Sequence, residues 1–448
     1  MNRTRLIRQT IFLSGSHFIV RVIGFVMRIW LSREMGTAAM GLVELTHSAQ
    51  MLLITPVVSG LPAAVSRMSA KATGDPAKQT RVLRCGMLLA LAVSLPLMAA
   101  AFLLKEPIAM WLGDIRTLPA LIAYLPCIPV LGVSCALNGY YYGTGRPVPP
   151  AISEILEQVI RFILSLRLVS LLKDWPLTLR AAIPAVSSLA GETIGLIFML
   201  VLCAHALLFV KGDGKPKEIL SEMLSLALPL TGMRLVSSLM RTVNATLIPA
   251  RLQLSGLPKG EALSQLGMMN GMLMPMLLLP SFITCSLCMV AAPELTRRQA
   301  QGKPLRALCL RIAAGALAIG LACMAAVGLF SPLIANTLYR QAELLPLLRK
   351  YSLFIPLMAL TQVLGGMMNG LGLQRQSLRI SLVSGLMGIL ATYVLAARAA
   401  LRLHGALIAM GISQVFTLIL SGAALKQTIS SHSEYTFQSP AQCHLRRW

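Results

Sequence analysis

The sequence predicts an all-α, polytopic membrane protein with about twelve transmembrane helices in two parallel six-helix repeats. Three observations predict this fold: the composition, the recurrence of long apolar segments and an internal repeat. Of the 448 residues, 56% are hydrophobic and 12% are charged, whereas about 25% of the residues of a soluble domain are charged. A chain of this length and composition is expected to bury its apolar surface in a bilayer.

Apolar segments of about 20 residues, the length that crosses a bilayer as a helix, follow one another along the chain. Proline and glycine interrupt several of them. Transmembrane helices tolerate these residues because neighbouring helices and water satisfy the freed backbone groups, so kinks are expected there. The predicted spans are residues 10–32, 41–64, 84–104, 118–141, 149–171, 181–209, 220–248, 264–292, 308–330, 344–369, 377–397 and 403–425.

The formal net charge of +24 is distributed as in a membrane protein and does not indicate a nucleic-acid partner. Loops on the side of the N-terminus carry more Lys and Arg than loops on the opposite side. Because basic loops stay in the cytoplasm, both termini are predicted to be cytoplasmic. The excess charge also attracts anionic lipid headgroups.

Two arginine pairs lie inside apolar segments. Arg21 and Arg28 are in the first predicted span, and Arg234 and Arg241 are in the seventh, at an offset of 213 residues for both. Seven residues are about two helical turns, so both members of a pair point to one side. A charge at mid-bilayer costs at least about 2.5–3.5 kcal/mol and normally faces a wet cavity. The pairs predict a cavity for an anion. The alternative is a structural role, in which Arg28 and Arg241 reach the membrane surface from their helix ends.

A second repeat supports a duplication. Residues 124–145 align without gaps to residues 351–372, with seven of 22 positions identical at an offset of 227, and such self-similarity is the signature of repeated units. Six spans per repeat is an even number, so both halves enter the membrane in the same direction. Parallel repeats of this kind are an architecture of secondary transporters, with the site between the halves. The predicted boundaries are 1–210 for the first lobe, 211–427 for the second and 428–448 for a polar cytoplasmic tail.

Other polar residues within the predicted spans are candidates for charge balance or for coupling to an ion. Glu157 and Arg161 are four residues apart on the fifth span and are expected to pair, and Glu192 is expected to bond across helices. Glu44 and His47 on the second span are expected to face the same cavity as Arg21. The sequence contains no phosphate-binding loop, nucleophile motif or metal-binding motif. An enzyme, a cofactor, a metal site and a disulfide framework are therefore not expected.

Four segments, by their order and spacing, resemble the stage V sporulation protein B family: TRLIRQTIFLSGSHFIVRVIGFVMRIWLSREMG, GLPAAVSRMSAKATGD, GYYYGTGRPVPPAISEILEQVIRF and LPLTGMRLVSSLMRTVNATLIPARLQLSG. That family belongs to the multidrug/oligosaccharidyl-lipid/polysaccharide exporter (MOP) superfamily and is related to the lipid II flippases. The resemblance covers nearly the whole chain. It implies a V-shaped bundle of two six-helix lobes around a central cavity, which opens alternately to each side of the bacterial cytoplasmic membrane.

The resemblance also implies a substrate. Members of this group move an undecaprenyl-pyrophosphate-linked sugar or peptidoglycan precursor, with cavity arginines facing the pyrophosphate, and spore-cortex or cell-wall synthesis enzymes are the expected partners. Arg21 and Arg28 have six residues between them, as in the sporulation branch, where the cell-wall flippases have five. The role therefore carries over to Arg21 more firmly than to Arg28. The family usually has two further C-terminal helices, whereas only a polar segment follows Lys426 here.

Three functions are compatible with these features. A lipid-linked oligosaccharide flippase needs a hydrated, basic cavity for its pyrophosphate, and the arginine pairs meet that need. A drug or organic-cation antiporter of the same superfamily would need an acidic, aromatic cavity, but aromatic residues are only 5% of this chain. A non-transporting membrane scaffold for wall-synthesis enzymes is the third. The retained arginines argue against it.

Overall fold

The structure is a computed structural model that describes residues 3–209 and 216–438. All regular structure in these two ranges is helical. The chain divides into two compact units, the first formed by residues 1–250 and 257–271 and the second by residues 251–256 and 272–448. Helix α10 thus packs with the first unit, although the repeat places it at the start of the second lobe. The lobe boundaries at 210 and 427 remain a prediction about the duplication.

The first unit contains eleven α-helices within the described residues, and a 3₁₀ turn at Ile115–Thr117 precedes the fifth. The helices are α1 Arg3–Val58, α2 Leu61–Lys71, α3 Pro76–Leu103, α4 Lys105–Trp111, α5 Leu118–Tyr124, α6 Cys127–Gly143, α7 Val148–Leu171, α8 Leu177–Arg180, α9 Ile183–Phe209, α10 Pro216–Leu254 and α11 Lys259–Gly267.

Glycines set the closest helix contacts of the first unit. Helix α6 packs against α2 and α3, α7 packs against α1 and α9, and α11 packs against α1. A Cβ at Gly267 would lie 2.0 Å from the carbonyl oxygen of Thr37, and one at Gly41 would lie 2.2 Å from that of Leu263. Small residues at these positions therefore let the backbones of α1 and α11 touch.

The second unit contains eight α-helices in the described part of the chain. Its centre is α17, which packs against α13, α14 and α19, while α18 packs against α19. A Cβ at Gly370 would lie 2.8 Å from the Cα of Ala292, so this glycine again permits close packing. The helices are α12 Met274–Leu277, α13 Ser281–Ala300, α14 Arg306–Leu329, α15 Ser331–Leu333, α16 Leu344–Tyr351, α17 Phe354–Gly370, α18 Gln374–Leu395 and α19 Leu403–Gln438.

Seven helices in the described ranges are long and apolar enough to cross a membrane, or up to ten if each of three bent helix pairs is one span. The protein is therefore an all-helical, multi-pass membrane protein. Helix α19 continues to Gln438 and so enters the segment predicted as a polar tail. Residues 439–448 of that tail, and Lys211 and Lys215 of the loop between the predicted lobes, lie outside the described residues.

Kinks, which the sequence predicts where proline interrupts a span, are present four residues before Pro129 and Pro356. Helices α5 and α6 are bent by 42° at Leu125, and α16 and α17 are bent by 56° at Ser352. A proline has no N–H and its ring clashes with the carbonyl four residues earlier, which places the breaks ahead of Pro129 and Pro356. The two breaks differ by 227 residues, the offset of the repeat.

The ends of α6 and α17 also correspond. Gly145 and Gly372 have φ values of +70° and +76°, a conformation that glycine adopts without a steric penalty. The N–H groups of Arg146 and Leu373 then turn back to carbonyl oxygens five residues earlier, at 2.9 and 2.8 Å. This is the hydrogen-bond pattern of a glycine C-cap, present at corresponding positions of the two repeats.

A charged contact joins two loops of the first unit. The Asp114 carboxylate, buried between α4 and α5, accepts hydrogen bonds from Arg116 and lies 3.9 Å from the Lys259 ammonium. Burial raises the pKa of Asp114, but the hydrogen bonds and charge of Arg116 and the charge of Lys259 together hold it below its usual value. The loop before α5 and the start of α11 therefore lie on the same side of the unit.

Candidate functional site

Four arginines lie on two apolar helices of the first unit. Arg21 and Arg28 are on α1, and Arg234 and Arg241 are on α10. Arg21, Arg234 and Arg241 are exposed, whereas Arg28 is half-buried. A guanidinium in a helix of this composition must be satisfied by water, a protein partner or an anion, so the surroundings of each decide its role.

Arg28 is satisfied by the protein. Its Nη2 donates to the carboxylate of Glu44 and, at 2.9 Å, to the carbonyl oxygen of Asn270. Glu44 is 16 residues further along the chain, which in a straight helix would place it about 24 Å away. The contact exists because Gly36, with φ 80°, breaks α1 between the two residues. Glu44 was expected to face the same cavity as Arg21, and its ion-pair partner is Arg28.

His47 marks a recess that reaches between the helices. Its side chain is exposed, yet protein surrounds it on most sides, and it interacts electrostatically with Glu44, Arg28, Arg161 and Arg241. Solvent therefore reaches His47 and the charged groups around it. The Thr242 hydroxyl donates to the Ser48 carbonyl oxygen at 2.9 Å, which fixes α10 against the second half of α1 and brings Arg241 towards His47.

Arg161 is neutralised from the neighbouring helix. Its Nη2 donates to Glu192 of α9 at 2.8 Å. The predicted pairing with Glu157 is wrong, because Glu157 instead accepts a hydrogen bond from Ser153 at 2.7 Å. The reason is the close approach of α9: a Cβ at Gly195 would lie 2.2 Å from the Glu157 Oε1, so α9 presents its own carboxylate to Arg161.

One polar pair was not predicted. His17 Nδ1 lies 2.9 Å from the Glu154 carboxylate and joins α1 to α7. The sequence carried a signal for it, since His17 is four residues before Arg21 and shares its helix face. Glu154 likewise precedes Glu157 by almost one turn. His17 therefore adds a polar group to the face of α1 that contains Arg21, and Glu154 contacts it from α7.

The charges of this region do not balance. Glu44 and Glu192 each pair with one arginine, Arg28 and Arg161 respectively. Within the described part of the chain, the other three arginines, Arg21, Arg234 and Arg241, form no hydrogen bond or ion pair. We call these three the unpaired arginines. Three cationic forks without a protein partner, on exposed positions of two apolar helices, can bind an anion with several oxygen atoms.

A metal is not indicated by these residues. Among the described His, Cys, Asp and Glu side chains, no group of three could hold a metal ion.

Comparison with solved structures identifies the fold. The inward-facing conformation of a multidrug resistance MATE family transporter of the MOP superfamily matches with a TM-score of 0.73 at 18% identity, over 93% of this chain and 96% of that one. The outward-facing conformation of such a transporter matches with a TM-score of 0.66 at 17% identity, over 95% and 96%. The chain has the fold of the MOP superfamily.

Sequence comparison identifies the family. Stage V sporulation protein B of Bacillus subtilis (strain 168) is 26% identical over 446 residues, which cover 96% of this chain and 85% of that protein. Residues 6–299 match the family described as polysaccharide biosynthesis protein, a range that includes α1, α7, α9 and α10. The resemblance predicted from the sequence is confirmed, and the chain is a member of the polysaccharide biosynthesis protein family.

Proposed function

We propose that the protein is a membrane transporter that flips an undecaprenyl-pyrophosphate-linked oligosaccharide or peptidoglycan precursor across the bacterial cytoplasmic membrane by alternating access. The observation that carries the proposal is the set of unpaired arginines, Arg21, Arg234 and Arg241, on two apolar helices of the first unit, with Arg241 close enough to the exposed His47 to interact with it. Membership of a polysaccharide biosynthesis family and likeness to a sporulation protein support the substrate class and a role in spore-cortex or cell-wall synthesis.

The pyrophosphate is the part of such a lipid that most needs the protein. Its charge strongly opposes entry into the bilayer, because moving an ion into a low-dielectric medium without a partner is unfavourable by tens of kcal/mol in the Born limit. Arginine stays protonated at all relevant pH values and offers paired N–H donors that match phosphate oxygens. Arg28 and Arg161 already have carboxylate partners, so the unpaired arginines supply the net positive charge.

Alternation is supported by the superfamily, which includes transporters solved facing inward and facing outward. In the empty site, the unpaired arginines repel one another through a hydrated recess. An anionic headgroup removes this repulsion and favours the closed state that moves it. A ligand shifts a conformational equilibrium only by its difference in affinity for the two states, and here that difference comes from charge neutralisation.

The proposal includes twelve spans with both termini in the cytoplasm. Counting α1 as two spans broken at Gly36, each bent pair as one and α7 as one gives twelve. Helix α7 is 24 residues long, enough to cross a bilayer, and carries four charged residues. Loop contacts within the first unit agree with strict alternation: Asp114 with Lys259, and Arg180 with the Glu34 carbonyl, on one side, and Lys71 with Glu222 on the other.

A drug or organic-cation antiporter is the second candidate, because the solved structures of this fold include multidrug transporters. The charge of the site argues against it. A cation there would still meet net positive charge, because five arginines stand against four carboxylates, Glu44, Glu154, Glu157 and Glu192, and two of these carboxylates are occupied by Arg28 and Arg161. Coulomb repulsion at an effective dielectric of about 20 is roughly 4 kcal/mol for two charges 4 Å apart.

Headgroup exposure of a labelled polyprenyl-pyrophosphate disaccharide in reconstituted vesicles tests the proposal. The double variant Arg21→Ala/Arg234→Ala should lose flipping but still fold and insert. Neither arginine pairs with another described residue, so its removal leaves no buried carboxylate uncompensated. Arg167→Ala is the matched control, since this exposed arginine lies near the C-terminal end of α7. Transport at the wild-type rate in the double variant would show that these arginines do not carry substrate.

A further inference from the structure

The second unit has its own open cavity, of about 430 Å³, which none of the four arginines lines. This volume is within the range of about 300–1,000 Å³ typical of small-molecule sites. Helices α13, α17, α18 and α19 contribute most of its wall. The lining residues are Leu278, Ser281, Met358, Thr361, Gln362, Ser381, Ser384, Gly385, Ser413, Gln414 and Thr417.

The lining is polar but uncharged. It contains four serines, two threonines and two glutamines, and no acidic, basic or histidine side chain. An ion taken from water into such a cavity would have no opposite charge to offset its lost hydration. A neutral ligand rich in hydroxyl and amide groups would find both donors and acceptors, because hydroxyl and carboxamide groups are both.

Two threonines hold the glutamine side chains in place. The Thr284 hydroxyl donates to Gln362 Oε1 at 2.9 Å, and the Thr361 hydroxyl donates to Gln414 Oε1 at 3.0 Å. Each amide is thus anchored at one end and has no protein partner at its other end. Glutamines fixed this way on facing helices are preorganised for a ligand, since their rotamers do not have to be ordered on binding.

Ser384 gives an independent indication that a ligand belongs in this cavity. Its side chain is 1% exposed, and its hydroxyl has no hydrogen-bond partner in the protein although it lines the cavity. The backbone beside it is satisfied, because the Ser384 carbonyl oxygen accepts from Ser413 at 2.8 Å. A buried hydroxyl without a partner lowers stability by about 1–3 kcal/mol, and rotation of the Ser384 side chain towards the cavity would let a ligand hydroxyl or carbonyl satisfy it.

We propose that this cavity binds the uncharged sugar part of the lipid-linked substrate through Gln362, Gln414 and Ser384. The inference rests on the proposed function, which supplies the substrate class. It adds a division of labour: the unpaired arginines of the first unit recognise the anionic part, and the amides and hydroxyls of the second unit recognise the sugar. The two sites belong to different compact units, so each can be tested without altering the other.

Thermal unfolding of the purified full-length protein tests the sugar site directly. The probe is a neutral N-acetylated disaccharide at millimolar concentration, added to wild type and to Gln362→Leu, Gln414→Leu and Ser384→Ala. The sugar should raise the unfolding temperature of wild type. Each variant should weaken the apparent affinity roughly three- to tenfold, as expected for one neutral hydrogen bond. No protection of wild type, or equal protection of wild type and the variants, overturns the proposal.

The variants are chosen to keep the fold. When the glutamines are replaced, the Thr284 and Thr361 hydroxyls can donate instead to the carbonyl oxygens of Pro280 and Met358, each at 3.0 Å. Ser384→Ala removes only a hydroxyl that has no partner, so it should leave ligand-free stability unchanged or higher. Gln299→Leu, on the same helix as Ser281 but outside the cavity, is the control and should respond to the sugar as wild type does.

Two further arms separate this proposal from its alternatives. Inorganic pyrophosphate should raise the unfolding temperature of wild type and of the cavity variants equally, and it should not raise that of Arg21→Ala/Arg234→Ala. If pyrophosphate does not raise the unfolding temperature of wild type, the proposed function is contradicted. The sugar result is then judged independently of it. Sodium in place of potassium should have no effect. Protection by sodium that the cavity variants abolish would identify a cation site and overturn the sugar assignment.

Discussion

At the scale of single residues, the site depends on which arginines have a partner. Five arginines lie in the polar region of the first unit, and Glu44 and Glu192 each neutralise one of them. The sequence predicted Arg21 and Arg234 as deep, unpartnered charges. It did not predict the pairing of Arg28 with Glu44, because that contact depends on the break at Gly36, and φ +80° at this glycine has no signature in a hydropathy pattern.

The ion pair predicts that Arg28 and Arg21 differ in their effect on stability. Arg28→Ala leaves the Glu44 carboxylate, 11% exposed, without its cation, and such a loss lowers the free energy of unfolding by on the order of 1–3 kcal/mol. Arg21→Ala removes no partner and should leave unfolding within about 0.5 kcal/mol of wild type. Thermal unfolding in one detergent measures both.

The double variant Arg28→Ala/Glu44→Ala is the control for this prediction. Removing both charges leaves no uncompensated ion, so the protein should regain most of the stability lost in Arg28→Ala. Equal stability of Arg28→Ala and Arg21→Ala would mean that the ion pair is hydrated and contributes nothing.

At the scale of helices, proline and glycine predict where helices bend and end more reliably than apolar periodicity does. The kinks ahead of Pro129 and Pro356 follow from the geometry of proline, so their positions could be predicted from the sequence. The partner of Arg161 could not, because two carboxylates, Glu157 and Glu192, were available and the choice depends on how closely α9 packs at Gly195. Packing distances of this kind are tertiary information.

The contact of α1 with α11 gives a prediction at this scale. Gly267→Ala would place a methyl group 2.0 Å from the Thr37 carbonyl oxygen, and the helices must separate to admit it. Overpacking of this kind lowers stability by typically 1–3 kcal/mol. Gly232→Ala on α10 is the matched control, because nothing lies within 4 Å of its Cβ position.

The control should behave in the opposite sense. Alanine is about 0.5–1 kcal/mol better than glycine within a helix, so Gly232→Ala should leave the unfolding temperature unchanged or raise it. A similar loss of stability in both variants would show that the glycines act through helix flexibility and not through the α1–α11 contact.

At the scale of the whole molecule, the repeat and the compact units divide the chain differently. The repeat predicted that α10 corresponds to α1, and Arg234 and Arg241 sit on α10 as Arg21 and Arg28 sit on α1. By contacts, however, α10 belongs to the first unit. A repeat records which segments share an origin, whereas packing depends on the side chains that meet. This is why the sequence predicted the arginines but not that all four lie in one unit.

Topology is testable at this scale through the loops that touch. Asp114 contacts Lys259 and Lys71 contacts Glu222, so the loops of each pair lie together, and the proposed topology puts the first pair outside and the second in the cytoplasm. On a background without reactive cysteines, Cys introduced at Glu261 or Asp174 should react with an impermeant thiol reagent in intact cells. Cys at Lys217 or Lys303 should react only after permeabilisation. Labelling of the second pair from outside would reverse the proposed orientation.

The central claim is that unpaired arginines bind an anionic lipid headgroup, and competitive binding to the purified protein tests it most directly. The ligands are a polyprenyl pyrophosphate and a lipophilic phosphonium cation, measured with wild type and with Arg21→Ala, Arg234→Ala and Arg241→Ala. Each alanine should weaken pyrophosphate binding roughly ten- to a hundredfold, as expected for the loss of a hydrogen bond to a charged group. Lysine at the same positions should restore it only in part, because lysine keeps the charge but not the bidentate geometry. Tight binding of the phosphonium cation to wild type, with pyrophosphate affinity unchanged in all three alanine variants, would contradict the account.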